Sequence, residues 1–169
     1  MIFTQQDATN GNLSLFMKLK CQENKIKSGS ECLFIPINSR RALKAFPTEE
    51  YCQIALENQL IAAKHEIGPP VLDDNIQQIL VSANQIKSSI GYKSYTWNMK
   101  KMQDDGFVLL WSYVTFIVKT IEPNDEREYD YDLSERMKEH GFSARDLHAD
   151  NIGIYKGKLV CIDFGVLSS

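Results

Sequence analysis

The feature that most constrains this chain lies near its end. Ile152–Tyr155, a Lys156-Gly157 turn and Leu159–Ile162 read as a β-hairpin. A hairpin returns the chain to its starting point, so whatever flanks one end meets whatever flanks the other. Asp146 and Asn151 flank the way in, and Asp163-Phe164-Gly165 the way out. Two carboxylates and an amide oxygen at one mouth suit a hard cation with oxygen ligands, Mg²⁺ ahead of Ca²⁺. Gly165 lets the chain turn sharply after the carboxylate. The plain alternative is an ordinary polar turn, since Asp and Asn favour turns in any protein.

The rest of the chain supplies a frame for that mouth. Leu13–Lys20, Cys32–Ile37 and Arg41–Phe46 read as strands. Cys52, Leu56, Leu60 and Ala63 then recur at helical spacing behind Thr48, a plausible N-cap, which predicts a helix over Thr48–Glu66. Gly68-Pro69-Pro70 stops it. Two further strands are expected at Gln78–Ser82 and Lys93–Asn98. The stripe Phe107, Leu110, Trp111, Val114, Val118 and Ile121, opened by Asp104 and Asp105, predicts the strongest helix of the chain. An acidic loop, Glu122–Asp132, follows. Asp132-Leu-Ser-Glu135 has capping-box spacing and Gly141 suits a C′ position, bracketing a short helix. The expected fold class is α+β in two lobes.

Composition narrows the functional classes. At 169 residues, with 43% hydrophobic and 24% charged, the chain supports one core without metal or disulfide staples. Nineteen Lys plus Arg against 22 Asp plus Glu leave a net charge of −3, no footprint for nucleic acid or an anionic membrane. The longest purely apolar run, Phe107–Trp111, falls far short of a membrane span. The N-terminal segment MIFTQQDATN has neither a basic region nor an apolar stretch of secretory type. Cys21, Cys32, Cys52 and Cys161 form no CxxC pair, and His65, His140 and His148 are far apart, so zinc is not expected and a reducing cytoplasm is. No G-x-S-x-G stretch supports a hydrolase.

RDLHADN (Arg145–Asn151) resembles the catalytic loop of protein kinase-like enzymes, and Asp163-Phe164-Gly165 resembles their metal loop, in the same order and at the usual gap. The resemblance implies a two-lobed kinase-like fold: an N-lobe over about residues 1–97, a hinge at 98–102 and a minimal C-lobe over 103–169. It implies ATP and Mg²⁺ as cofactors, Asp146 as the catalytic base, and Asn151 and Asp163 as metal ligands. RALKAF is similar to the phosphate-lysine strand and gives Lys44. Glu57 of the following helix would pair with it, with Glu50 or Glu66 as substitutes if the register differs. Gly29 is the one glycine standing where the family has several. The backbone of Asn98, Met99 and Lys100 would meet the adenine edge, and His148 would orient the catalytic loop.

Four residues follow Gly165, so the resemblance covers Ile26 to Gly165 but only the front of the family fold. Such compactness is similar to that of small kinase-like proteins of tailed phages and of stripped-down bacterial effector kinases. By that likeness the chain acts in the cytoplasm, a host's if phage-encoded, on a protein substrate or host partner. Two functions stay open. One is an ATP- and Mg²⁺-dependent phosphotransferase; the other is a non-catalytic kinase-like binder that inhibits or modulates a partner.

Overall fold

The computed structural model describes residues 26–29, 32–92, 106–125, 131–144 and 147–163. They form an α+β protein with two antiparallel sheets. The larger has five strands: β1 (Lys27–Ser28), β2 (Leu33–Pro36), β3 (Arg41–Phe46), β4 (Val71–Ser82) and β5 (Phe107–Phe116), in the spatial order β1-β2-β3-β5-β4. Helix α1 (Glu49–Lys64) covers one face, and α2 (Ala83–Lys87) follows β4. The smaller sheet is β6 (Lys119–Thr120), β7 (Ile152–Tyr155) and β8 (Lys158–Cys161), packed with α3 (Tyr131–Glu139).

Each helix has a local cause. The Thr48 hydroxyl accepts from Tyr51 N at 3.1 Å, and Glu49 and Glu50 in the first turn and Lys64 in the last suit the helix dipole of α1. Its buried stripe is Cys52, Leu56, Gln59 and Ala62, while Leu60 stays 42% exposed. The expected stripe through Leu60 and Ala63 is therefore shifted by one residue at its second half. Helix α2 carries a full capping box between Ser82 and Gln85. Helix α3 ends as its glycine predicts: Gly141 has φ +82, Phe142 N donates to Met137 O at 2.9 Å, and both apolar side chains bury together. Asp132, expected as its cap, lies inside the first turn and accepts from Arg136 Nε at 3.0 Å.

Residues 107–116, expected as a helix of the second lobe, are instead strand β5 between β3 and β4 in the large sheet. Val108 and Leu110 enter the core on one face, and Tyr113 packs under α1 on the other. Residues 111–116 are buried or half-buried on both faces, and the exposed Phe107 and Leu109 are apolar too, so the run shows no polar alternation and a helical stripe can be picked from it by chance. The sequence FVLLWSYVTF, rich in β-branched and aromatic residues, fits the pleat better than a helix. The strand expected at Gln78–Ser82 is the last part of a longer one, β4. Those expected at Leu13–Lys20 and Lys93–Asn98, and the hinge at 98–102, lie outside the described residues.

The two sheets are joined at a seam where β8 meets the connection from α1 to β4. Cys161 N donates to Ile67 O at 2.7 Å, while Ile117 N on Arg40 O at 2.8 Å extends the β3–β5 ladder by one pair. Arg136 reinforces the seam by donating to Glu66 O at 3.0 Å and Leu159 O at 3.1 Å, and Lys158 pairs with the Glu66 carboxylate. The His65 and His140 rings stack at 3.8 Å between the ends of α1 and α3.

Candidate functional site

The hairpin forms as its turn chemistry predicts. Lys156 (φ +50) and Gly157 (φ +78) occupy the two left-handed turn positions, and Ile152 pairs with Cys161. One step outward, Ile162 N donates to Asn151 O at 2.8 Å. The base of the hairpin thus holds Asn151 beside Asp163. A 3₁₀ turn, Ala149–Asn151, leads into it, closed by Asn151 N donating to His148 O at 2.8 Å. The Asn151 amide nitrogen lies 3.3 Å from His148 Nε2.

Lys44 comes to the same place from the large sheet. It sits in the middle of β3, opposite Phe34 and Tyr113, and only 5% of it is exposed. Its Nζ donates to Ile162 O at 2.8 Å, one residue from Asp163 and 118 residues away in sequence. Among the described residues no carboxylate pairs with it. A buried ammonium held by one neutral carbonyl has an incompletely compensated charge, which an arriving anion would relieve.

Gly29 completes the cluster from above. A side-chain carbon built on it would lie 3.6 Å from Asp163 Oδ2, 3.4 Å from Cys32 O and 3.8 Å from Cys32 Sγ. Gly29 N donates to Cys32 O at 2.8 Å, so Gly29, just past the end of β1, is held close to the carboxylate. Gly29, Lys44, Asn151 and Asp163, spread over 134 positions of sequence from first to last, are thereby gathered at one end of the seam.

Glu57 is not brought there. It is exposed on the outer side of α1, where its carboxylate accepts from Gln53 Nε2 at 3.0 Å. Neither substitute replaces it, since Glu50 is exposed and Glu66 pairs with Lys158 at the far end of α1. The expected Lys44–Glu57 pair is thus corrected: the buried stripe that seats α1 leaves position 57 on the solvent side. Asp146, Asn98, Met99 and Lys100 lie outside the described residues.

The inward-facing polar residue of α1 is Gln59, fully buried. Its Nε2 donates to Thr115 Oγ1 at 2.6 Å and to Pro69 O at 3.1 Å, and its Oε1 accepts from Tyr113 OH at 2.7 Å. Burial, with the nearby Cys32, Cys52 and Asp163, pushes the Tyr113 phenol well above its ordinary range, so it stays a donor. Burial, helped by Glu49, pushes the Cys52 thiol up to about 12, which leaves it inert at neutral pH. A glutamine flanked by apolar neighbours at i−3 and i+3 was the only sequence signal for this network.

The cation-binding chemistry is narrow. Among the described residues no three His, Cys, Asp or Glu side chains are grouped to hold a metal ion. One carboxylate and one amide oxygen, as Asp163 and Asn151 offer, fit Mg²⁺, which keeps several waters and takes the remaining ligands from phosphates. The cavity of about 420 Å³ beside the hairpin tip offers no rival site, because its Glu66, Lys158, Asp132 and Arg136 already pair with one another. No helix among the described residues is long and apolar enough to cross a membrane.

These residues define an α+β protein with a buried lysine, a carboxylate and an amide gathered where its two antiparallel sheets join. No family model, curated protein or solved structure matches the chain.

Proposed function

We propose that the chain is a compact ATP- and Mg²⁺-dependent phosphotransferase of protein kinase-like type, acting on an intracellular protein. The observation that carries this reading is Lys44, a buried ammonium held against the backbone one residue from Asp163, with no carboxylate paired to it among the described residues. The element order supports it too: β1 to β3, α1, then β4 and β5 with α2 between them, and, after β6 and α3, the hairpin between the two motifs. On this reading Lys44 grips the phosphates and Asn151 and Asp163 hold the cation, which offsets phosphate charge when bound. Asp146 accepts the proton of the attacking hydroxyl.

The alternative, a kinase-like binder without transferase activity, draws support from two features. Glu57 faces solvent, and Gly29 lies close against Asp163 where phosphate would enter. Labelled ATP with Mg²⁺, incubated with wild type and Asp146→Asn, separates the two. The substitution should keep ATP binding and lower transfer about 10²–10⁴-fold, the usual worth of a positioned base. Binding without any transfer by wild type, and an unchanged cellular effect of Asp146→Asn, would leave only the binder.

A further inference from the structure

We propose that His148 is a positioning residue for Asn151, holding the nitrogen end of its amide so that the oxygen end is the one offered to the cation. This rests on the reading of Asn151 as a Mg²⁺ ligand. The contact joins His148 Nε2 and Asn151 Nδ2 at 3.3 Å. An amide nitrogen can only donate, so the ring nitrogen must accept, and the imidazole proton then sits on Nδ1. The short 3₁₀ turn Ala149–Asn151 brings Asn151 back beside His148, its extended N-cap. The backbone on either side is fixed as well, with Asn151 N bonded to His148 O and Asn151 O to Ile162 N, each at 2.8 Å. With the backbone pinned, the His148 contact acts on rotation of the side-chain amide. A flipped amide would set a nitrogen where a cation needs oxygen.

The test uses the full chain, titrating Mg²⁺ at fixed ATP and reading the half-point of the thermal shift. His148→Leu removes the acceptor while roughly keeping bulk; His148→Gln restores an acceptor at similar reach. His148→Leu should need about tenfold more Mg²⁺, the low end for an outer partner of a metal ligand, with little change in ligand-free melting. His148→Gln should return the half-point to near wild type. Nitrogen NMR of the neutral imidazole should show the proton on Nδ1. An unchanged half-point in His148→Leu, no rescue by His148→Gln, or a proton on Nε2 would overturn the proposal alone. Absence of any ATP and Mg²⁺ shift in wild type would overturn it together with the phosphate-site reading.

Discussion

Lys44→Met isolates the charge that the phosphate-site reading depends on. Methionine keeps most of the apolar stem, so the packing of β3 against α1 should survive. In the ligand-free protein two effects oppose. Ile162 O loses its donor, a cost of about 1–3 kcal/mol. Removal of a buried ammonium with no carboxylate paired to it among the described residues returns an amount of the same order. Ligand-free melting should therefore move by only a few degrees. With ligand the difference is larger. At a hundredfold excess of ATP over Kd, wild type gains about 2.7 kcal/mol. At about 3 °C per kcal/mol for a chain of 169 residues, that is a rise of about 8 °C. A charge-assisted contact to phosphate is worth about 1.5–3 kcal/mol, so losing it weakens binding about 10- to 100-fold. At the weak end the same ATP only equals Kd, and the gain falls to about 0.4 kcal/mol, near 1 °C. Scanning fluorimetry with and without ATP and Mg²⁺ resolves 8 from 1 °C. A wild-type shift retained by Lys44→Met would refute the placement of phosphate at this lysine.

Two further outcomes follow from the packing. Gln59→Leu strands Tyr113 OH and Pro69 O in the interior and leaves Thr115 Oγ1 only its bond to Phe116 O, and urea unfolding should show a loss of about 2–4 kcal/mol; a loss below 1 kcal/mol would mean that α1 is held by its apolar stripe alone. The Glu66 carboxyl is held below its usual range, first by the hydrogen bond and attraction of Lys158 and then by Arg136 and Lys156. Because its folded pKa lies below its unfolded one, its contribution is present above roughly pH 4 and lost as pH falls through the folded value. Glu66→Gln should flatten that part of the acid limb of a stability profile, and identical slopes in the two proteins would remove the pair from the account.

What the sequence made legible was local. The hairpin follows from Lys156-Gly157, and its flanking Asn151 and Asp163 meet because hairpin ends must. Helix α1 follows from Thr48 and a run of helix formers. Phe107–Phe116 was hidden because apolar residues stand on both of its faces, the exposed Phe107 and Leu109 included, which erases the alternation that marks a strand. Glu57 was misplaced because the seat of α1 is set by Gln59, and a buried amide looks like any polar residue until its partners Tyr113 and Thr115 are known. Those partners belong to β5, so the error about the strand and the error about the helix face have one origin.

Holding α1 by an uncharged network has a consequence for how the site can be controlled. Where a helix carboxylate pairs with the phosphate lysine, moving the helix and disarming the lysine are one event. Here α1 is anchored to β5 through Gln59, while Lys44 is anchored to the second sheet through Ile162 O. The lysine therefore reports on the seam between the sheets rather than on the helix. That seam is closed by Cys161 N on Ile67 O and by Arg136 on Glu66 O and Leu159 O, none of which touches Lys44 or Asp163. Opening the seam would withdraw Ile162 O from Lys44 and Asp163 from Gly29 together, because Ile162 and Asp163 are adjacent. An anion and cation bridging Lys44, Asn151 and Asp163 would in turn hold the sheets together, since it would bind only the joined arrangement. On the proposed reading, ligand binding and sheet docking would be the same equilibrium read from two ends.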